Sequence, residues 1–567
     1  MLKYYSFLIS FIVVSCYYGT DLKQTDSIKG PGIITRHGMV VSASEEASGI
    51  GVYILKTGGN AIDAAVATGL ALAVCYPEAG NLGGGGFMVI RTSDGAINTL
   101  DFREKAPIAA TSDMYLDSKG NVIEGLSTDT RLASGVPGSV AGLLAAHKKY
   151  GRLSFRDVIR PAIEIADKGF PVTKSLASSL NKNRQTFIER NTRSIAFVKD
   201  SLWKEGDILK QPDLARTLRS IRDKGDDGFY KGTVAKYIID EMKGSDGLIA
   251  EEDLENYQPV WRKPLTGTYR DYKIISVPLP SSGGLVLMQI LTMMERFDIR
   301  EMGFHSLQTV HLIIEAERRA FADRAEFMGD PDFIDTPVNQ LISRKYLEDR
   351  MSSFDPAKAS TSSEIGHGTP GGYESSETTH YSIVDDMGNA VATTTTLNNS
   401  YGNSIVVQGA GFLLNNEMDD FSVKPGYPNI YGLVGGTANA VESGKRMLSS
   451  MTPTIIEKDG KLFMVAGSPG GSTIPTSVLQ VVVNCIDYGM NIQDAVNSGR
   501  FHHQWVPDTV MYENNALDSA TISHLEQMGH QLKKRLTLGQ VNAIMQLPDG
   551  TFQAGADSRG DNVAAGY

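Results

Sequence analysis

The order of polar and apolar positions along this chain changes most clearly at Thr378. Residues 352–377 are a run of Ser, Thr, Gly and Pro that cannot bury a core, and they predict a mobile loop. From 378 to 385 two sets of side chains alternate, many of them β-formers, which is the period-2 pattern of a strand. A second β-rich run occupies residues 390–396. The pattern therefore predicts a β-hairpin that starts where a loop ends.

The connection between the two runs predicts the register of this hairpin. Asp386-Met387-Gly388 has the length of a three-residue hairpin loop, with Gly where a positive φ is needed. Folding about Met387 brings Thr396 opposite Thr378, and cross-strand neighbours lie about 4.5–5.5 Å apart. A G1 bulge would shift this register by one residue.

A pair of facing threonines has a possible chemical use. A threonine hydroxyl is a weak nucleophile unless a base is adjacent, and the α-amine of an N-terminal Thr can be that base. Thr378 would gain this amine if the Glu377–Thr378 bond were cut, and Thr396 would orient its hydroxyl. Taken alone, the hairpin is better explained by the frequency of Thr in strands.

Helical spacing of apolar residues predicts the other main elements. Residues 58–76 predict a helix that is buried on most sides, and residues 151–260 have a mostly helical pattern. Residues 306–324 predict an amphipathic helix with Ser306 as its N-cap. Within it, His311 is better explained as a packed histidine than as a ligand.

The glycine run at residues 80–86 has two explanations. Phosphate binding is weakly supported, because no Lys-Ser/Thr pair follows the glycines. Close backbone packing before a strand from Phe87 to Arg91 is the better explanation.

Composition and charge exclude several classes of protein. The chain has 65 acidic and 54 basic residues and a net charge of −11, which argues against a nucleic-acid partner. Cys75 and Cys485 lie in apolar, helix-like segments and predict buried thiols rather than a disulfide framework. No Cys/His spacing, HExxH or EF-hand pattern occurs, so neither a metal nor another cofactor is predicted.

The first residues predict export. Residues 1–15 contain a basic start and an apolar stretch too short to span a bilayer, as in a signal peptide. Ser15-Cys16 resembles a bacterial lipobox, in which Cys16 becomes the lipidated N-terminus. Ordinary cleavage beside an incidental Cys is the alternative. In both cases we expect the protein in the periplasm or cell envelope, and a lipid on Cys16 would anchor it to a membrane.

Ordered motifs from about residue 30 to residue 567 resemble the γ-glutamyltranspeptidases, which belong to the N-terminal-nucleophile hydrolase superfamily. The motifs are Asp101-Phe102-Arg103-Glu104, Pro280-Ser281-Ser282-Gly283-Gly284, Thr378-Thr379-His380-Tyr381-Ser382, Gly388-Asn389-Ala390-Val391, Thr396-Leu397-Asn398, Gly411 to Phe421, Leu448 to Thr454, Gly467 to Ser472 and Ala565-Gly566-Tyr567.

This resemblance implies a fold and a set of boundaries. The fold is α+β, a four-layer αββα sandwich formed by one intertwined domain that is cut into two chains. The implied segments are a signal peptide at 1–15, an N-terminal tether at 16–30, a large subunit at 31–377 and a small subunit at 378–567.

The resemblance also implies the catalytic residues. Thr378 is the nucleophile, freed by autocatalytic cleavage after Glu377 and assisted by Thr396. The backbone amides of Gly470 and Gly471 form an oxyanion hole for the tetrahedral intermediate. A tight turn that needs positive φ explains the two glycines equally well.

The substrate-binding residues implied by the resemblance separate two charges. Those for the α-amino end of a γ-glutamyl group are Asn398, Glu417 and Asp420. Those for its α-carboxylate are Arg103, Ser449 and Ser450, and the planar fork of an arginine suits a carboxylate. Without the resemblance, Arg103 would be assigned to a salt bridge with Asp101 or Glu104, and Glu417 with Asp420 to an acidic surface turn.

Residues 425–436 have glycine and proline at both ends and predict a loop that moves as a unit. They match the lid of lidded family members, with Tyr431 covering the bound glutamyl group and held by Asn398. The expected pocket is therefore shielded.

The implied function is a self-processing γ-glutamyltransferase. It hydrolyses glutathione and other γ-glutamyl amides and passes the γ-glutamyl group to water, amino acids or peptides through a threonyl ester. One alternative is an acylase of the same fold that acts on glutaryl β-lactam side chains, against which Glu417 and Asp420 favour a substrate with an ammonium. The other is a glutathione-binding lipoprotein without turnover, against which Thr378 and Thr396 argue.

Overall fold

The computed structural model describes residues 28–30, 32–365 and 378–567. The predicted signal peptide, Cys16 and Glu377 lie outside the described residues. Within these residues the strands, numbered in chain order, are β1 Ile28–Lys29, β2 Ile34–Thr35, β3 Met39–Ser42, β4 Gly85–Arg91, β5 Ile97–Asp101, β6 Phe170–Pro171, β7 Ile208–Leu209, β8 Val260–Arg262, β9 Leu265–Tyr269, β10 Tyr272–Ser276, β11 Thr379–Val384, β12 Ala390–Thr396, β13 Thr454–Lys458, β14 Lys461–Gly467, β15 Phe501–His502, β16 Val510–Glu513, β17 Leu532–Arg535, β18 Asn542–Gln546, β19 Phe552–Ala556 and β20 Val563–Gly566.

The α-helices of the same residues, numbered in the same way, are α1 Glu45–Lys56, α2 Ala61–Cys75, α3 Ser139–Tyr150, α4 Phe155–Lys168, α5 Lys174–Lys182, α6 Arg184–Arg190, α7 Pro212–Lys224, α8 Asp227–Tyr230, α9 Gly232–Lys243, α10 Glu251–Glu255, α11 Gly283–Met294, α12 Ile299–Met302, α13 Leu307–Phe327, α14 Val338–Leu341, α15 Arg344–Arg350, α16 Ser362–Ile365, α17 Ile474–Ile486, α18 Ile492–Asn497 and α19 Ser519–Met528. No described helix is both long enough and apolar enough to span a bilayer.

Two large antiparallel sheets form the centre of the molecule. The first has eight strands in the order β1-β20-β3-β11-β12-β4-β5-β8, and the second has seven in the order β2-β19-β18-β14-β13-β10-β9. Each sheet contains strands from both sides of Thr378. A cut before Thr378 would therefore leave two chains that each contribute strands to both sheets.

Side-chain alternation explains how the layers are held together. Val384, Met39 and their neighbours of the first sheet pack against Ile275 and Ile455 of the second in a core between the sheets. Ile383, one position earlier, instead joins the core formed with α1 and α2. Alternate residues of the second sheet pack in the same way against α11 and α17. The predicted four-layer αββα arrangement is confirmed, and it explains why β11 and β12 are buried on both faces rather than one.

The glycine run at residues 80–86 serves close packing, as predicted. A Cβ added to Gly84 would lie 2.0 Å from the carbonyl oxygen of Thr396, and one on Gly86 would lie 2.3 Å from that of Thr394. The missing side chains let this segment pack directly on the end of β12.

Two other predictions for the central helices are also confirmed. The helix predicted at 58–76 is α2, in which every residue is buried. Cys75 and Cys485 are buried free thiols.

Two sequence predictions need correction. The predicted amphipathic helix is α13, capped by Ser306 as expected, but residues from Thr309 to Ala325 are buried, so it has no polar solvent face. The predicted mobile loop 352–377 is described only up to residue 365, and in that part Ser362–Ile365 form α16. Ser362 is held because its backbone N–H donates to Asp508 (2.7 Å) and its hydroxyl to the carbonyl of Trp505 (2.5 Å).

Candidate active site

The predicted hairpin places two threonine hydroxyls together. Thr379 pairs with Thr395, so the register is that of a fold about Met387 without a bulge. The Thr378 hydroxyl donates to Thr396 Oγ1 at 3.4 Å. Thr396 Oγ1 also accepts from the backbone N–H of Asn398 at 2.8 Å. The hydroxyl of Thr396 is therefore fixed by the turn that follows β12, and Thr378 lies against it.

A neutral network of hydrogen bonds between the two sheets stabilises the start of β11. His380 contacts Thr394 Oγ1 through Nδ1 (2.8 Å) and Ser382 Oγ through Nε2 (3.0 Å). Burial lowers the pKa of His380 to about 3, so its ring is neutral near pH 7. With both ring nitrogens occupied, His380 supports the strand and is not placed to act as a base for Thr378.

The predicted oxyanion turn follows β14, and its Gly471 lines the same cavity as Thr378 and Thr396. Gly470 and Gly471 have φ of 137° and 53°, values in the left-handed region that favours glycine. A Cβ on Gly471 would come within 2.6 Å of the Tyr431 ring. The turn therefore needs glycine for its backbone and also for the aromatic ring that covers it.

The other end of the site carries charge. Arg103 is fully buried, and its guanidinium donates to Glu417 through Nη1 and to Asp420 through Nη2. A third carboxylate, Glu104, lies 3.6 Å from Nη1. The sequence alone favoured an ion pair of Arg103 with Asp101 or Glu104. Glu104 does lie within ion-pairing distance, but the two shorter pairs join Arg103 to Glu417 and Asp420, residues implied for the ammonium subsite.

Three carboxylates lie within ion-pairing distance of the single positive charge of Arg103. Burial raises the pKa of Glu104 to about 7, with the attraction of Arg103 opposing the shift. Burial also raises the pKa of Glu417 well above its ordinary value. Arg103 itself is desolvated, but Glu417 and Asp420 together raise its pKa above the ordinary value. This end of the site can therefore exchange its internal pairs for the two charges of a zwitterionic ligand.

Ser449 and Ser450 complete the site opposite the acids. The hydroxyl of Ser449 accepts from the N–H of Met451 at 3.1 Å. That of Ser450 accepts from Arg324 Nη2 at 3.4 Å. Because each oxygen already accepts from a fixed donor, each hydroxyl proton is available to an acceptor in the cavity.

The predicted lid, residues 425–436, is exposed near its start and buried in its middle. Pro425 and Tyr427 are exposed, whereas Tyr431 and Leu433 are buried over the site. The Tyr431 hydroxyl donates to the backbone carbonyl of Asn398, the residue expected to hold it. Asn429 fastens the loop at its acidic side, since its amide donates to Asp420 at 3.0 Å.

These residues line one small cavity. Its walls are Arg103, Thr378, Thr396, Asn398, Glu417, Asp420, Tyr431, Leu433, Ser449, Ser450, Met451, Gly471 and Ile474. The structure thus brings together every predicted site residue except Gly470, which is next to the cavity, and Cys16, which lies outside the described residues. The cavity measures about 20 Å³, space for about one water, so a larger ligand can enter only if the lining side chains move.

One polar residue missed by sequence reasoning joins the lid to the oxyanion turn. The buried Gln504 donates from Nε2 to the Tyr431 carbonyl (3.1 Å) and accepts at Oε1 from Ser472 (2.7 Å). No spacing or repeat in the sequence singles out this glutamine, because its partners lie on two distant loops.

Within the described residues, one group of side chains has the composition of a metal site: His311, Glu315 and His530. His311 bonds His530 at 2.8 Å, and Glu315 pairs with Arg318 and Arg319. Since the carboxylate already balances two guanidinium groups, a cation is disfavoured there. His311 is a packed histidine, as its place in the helix indicated.

This chain is similar to known proteins over most of its length. A family model described as gamma-glutamyltranspeptidase matches residues 47–567. The glutathione hydrolase proenzyme of Escherichia coli (strain K12) is 48% identical over 535 residues, which cover 94% of this chain and 92% of that protein.

Two solved structures resemble the whole chain or a large part of it. Cephalosporin acylase from Bacillus halodurans has a TM-score of 0.83 at 26% identity, covering 99% of both chains. Helicobacter pylori gamma-glutamyltranspeptidase has a TM-score of 0.57 at 45% identity, covering 59% of this chain and 95% of that one.

Proposed function

Since this chain belongs to the γ-glutamyltranspeptidase family, we propose that it is a proenzyme that cuts itself and then hydrolyses glutathione and other γ-glutamyl amides. The mature enzyme also transfers the γ-glutamyl group to acceptor amino acids or peptides. The proposed large subunit is 31–377 and the small subunit 378–567, held together as a heterodimer by the shared sheets.

One observation supports this proposal above the others. A single cavity has a pair of threonine hydroxyls 3.4 Å apart at one end and a buried guanidinium with two carboxylates at the other. The first end suits nucleophilic attack on an acyl carbon. The second suits a ligand that carries both a carboxylate and an ammonium.

Maturation begins in the precursor with attack of the Thr378 hydroxyl on the carbonyl carbon of Glu377. The peptide C–N bond breaks, an ester joins the two residues, and the nitrogen leaves as the α-amine of Thr378. Water then hydrolyses the ester. The result is a free N-terminal threonine, with a carboxylate at the end of the large subunit.

Turnover uses the same hydroxyl with its new amine as base. Thr378 attacks the γ-carbonyl carbon of the substrate while its amine takes the proton and Thr396 orients the oxygen. The amides of Gly470 and Gly471 stabilise the oxyanion, an effect worth about 3–4 kcal/mol in a comparable site. The amine portion leaves with a proton, and water or an acceptor amine resolves the γ-glutamyl ester.

Substrate binding replaces the internal ion pairs of the closed pocket. The α-carboxylate takes Arg103 and the hydroxyls of Ser449 and Ser450, while the ammonium takes Asn398, Glu417 and Asp420. Tyr431 covers the glutamyl group once the lid closes.

The proposed location is the cell envelope. Export by residues 1–15 and lipidation of Cys16 both rest on the sequence, and both segments lie outside the described residues.

Two measurements test the proposal. Intact-mass analysis of the purified protein should give two associated chains, the smaller of which begins at Thr378. A single uncut chain with full activity would overturn self-processing.

The substrate class is tested with two matched anilides. L-γ-glutamyl-4-nitroanilide and glutaryl-4-nitroanilide differ only in the α-amino group, so their kcat/KM ratio reports recognition of the ammonium. We expect strong preference for the γ-glutamyl compound. Equal or better turnover of the glutaryl compound would favour the acylase alternative, and no turnover of either would favour the binding protein.

A further inference from the structure

Arg324 is a buried guanidinium behind the serine side of the pocket. It lies near the end of α13 and is 5% exposed. Nε donates to the hydroxyl of Ser282 at 3.0 Å and Nη2 to that of Ser450 at 3.4 Å. Among the described residues no carboxylate lies within ion-pairing distance of it, although other buried arginines such as Arg91 and Arg500 have one.

A buried cation without an anion is expensive, so such a group usually has a ligand or a shifted protonation state. Burial lowers the pKa of Arg324 only to about 10, which leaves it charged near pH 7. The charged side chains that act on it are Asp420 and Arg103, whose effects have opposite signs. The charge of the Arg324 guanidinium on the pocket side is thus not neutralised by any described carboxylate in direct contact with it.

The segment between Arg324 and the cavity is held rigidly. The hydroxyl of Ser282 donates to the Ser449 carbonyl at 2.6 Å, and the Ser282 N–H donates to the same oxygen at 2.8 Å. A Cβ on Gly283 would lie 2.1 Å from Thr452 Oγ1, so glycine allows α11 to start directly against the serine segment. This gives the Ser281-Ser282-Gly283 motif a physical purpose, which is to support Ser449 and Ser450.

We propose that Arg324 is a second guanidinium for the substrate α-carboxylate, acting from behind Ser450 as a positioning and specificity-determining residue. It occupies a lone pair of Ser450 Oγ, which directs the hydroxyl proton into the cavity, and it adds a positive charge on the carboxylate side. Arg103 contacts the carboxylate directly, and Arg324 acts through the serine. This inference rests on the proposed function, because it assumes a ligand with an α-carboxylate.

The test compares two substrates that differ at the α-carboxylate. They are L-γ-glutamyl-4-nitroanilide and the same anilide with an α-carboxamide. In Arg324→Met we expect kcat/KM for the carboxylate substrate to fall roughly 10- to 100-fold, mainly through KM, because a hydrogen-bonded charge is removed. The carboxamide substrate should change less than about twofold. Arg324→Lys keeps the charge without the fork and should recover part of the loss.

Controls separate positioning from general stability. Arg91→Met removes another buried guanidinium, which pairs with Glu457 outside the cavity, and should leave the substrate ratio unchanged. With Ser450→Ala, the double variant should lose less than the product of the single losses, since the two residues act together. If Arg324→Met does not fold, the substrate ratio in Arg324→Lys decides. An unchanged ratio in a folded Arg324 variant would overturn the inference alone, whereas an inactive wild-type chain would overturn the proposed function.

Discussion

The two ends of the cavity are built from different contacts. At the nucleophile end, Thr378 and Thr396 are 18 positions apart in one hairpin and share a neutral hydrogen bond. At the charged end, Arg103 bonds Glu417 and Asp420, which are 314 and 317 positions away. One end is local and uncharged, and the other joins distant segments through ion pairs.

This difference separates a preorganised end from one that must rearrange. The backbone ladder of β11 and β12 holds the hydroxyl pair whether or not a ligand is present. The ion pairs close the charged end on itself, and a ligand has to exchange them for its own charges. We therefore expect changes at the nucleophile end to affect kcat and changes at the charged end to affect KM.

The largest effect is expected for Thr378→Ala. Without this hydroxyl neither the cut nor turnover can begin, so we expect an intact chain and a loss of about 10⁴-fold or more. Thr379→Ala is the matched control, because its Oγ1 is buried without a hydrogen-bond partner. Intact-mass analysis and the γ-glutamyl anilide assay measure both. Cutting by Thr378→Ala, or an uncut Thr379→Ala, would contradict the assignment of the nucleophile.

Arg103→Lys tests the charged end. A lysine keeps the positive charge but cannot bond two carboxylate oxygens with a planar fork. We expect KM for the γ-glutamyl anilide to rise roughly 10- to 100-fold while kcat changes much less. Arg91→Lys, at a buried arginine paired with Glu457, is the control and should keep the wild-type KM. A pure kcat effect in Arg103→Lys would remove the distinction between the two ends.

Thr396→Val gives the reverse signature at the nucleophile end. The valine matches the threonine in shape but removes the acceptor of the Thr378 hydroxyl, so kcat should fall roughly 10-fold with little change in KM. Thr394→Val serves as control, since it removes a bond to His380 two cross-strand pairs further along the hairpin. A KM effect without a kcat effect in Thr396→Val would argue that Thr396 only binds substrate.

The same difference explains how much of the site could be predicted. The hairpin follows from period-2 alternation and a three-residue loop, and these determine both threonines within a short stretch of chain. The strand pairing of β11 with β12 has the register that this pattern predicts, and the four-layer arrangement agrees with it. The charged end has no such local signal, because only Glu104 of the three carboxylates that pair with Arg103 is near it in sequence, and the other two lie more than 300 positions away. A resemblance to a family was needed to bring them together.

Buried polar residues were the hardest to foresee. The helix α13 contains charged residues at spacings that resemble a solvent face, yet Glu315 and Arg319 pair with each other in the interior. Arg324 and Gln504 are single polar residues whose partners are on other elements. Their roles depend on tertiary packing, which periodicity along one segment does not encode.

The smallest expected effect concerns the stability of the charged end at different pH. Burial raises the pKa of Glu104 from 4.5 to about 7, so the folded chain retains a proton that the unfolded chain releases. The associated stability is complete below about pH 4.5 and is lost as pH rises through 7. Its slope is at most about 1.4 kcal/mol per pH unit. Glu104→Gln cannot ionise, so its free energy of unfolding should fall less between pH 5 and 7.

Urea denaturation at pH 5, 6 and 7 in the uncut Thr378→Ala background measures this with one chain. Glu457→Gln is the control of opposite sign, because Lys273 and Arg91 overcome the effect of burial and lower the pKa of Glu457. The stability from that pair is present above its ordinary pKa and is lost only below about pH 4.5, outside the measured window. His380 stays neutral in the folded chain throughout this range, but the unfolded chain protonates it below its ordinary pKa of 6.5, so it lowers stability as pH falls from 6.5 to 5. This contribution has the opposite sign to that of Glu104 and is common to both variants, so it cancels when their curves are compared. If the free energy of unfolding changed equally with pH in the chain with Glu104 and in Glu104→Gln, the raised pKa of Glu104 would be contradicted.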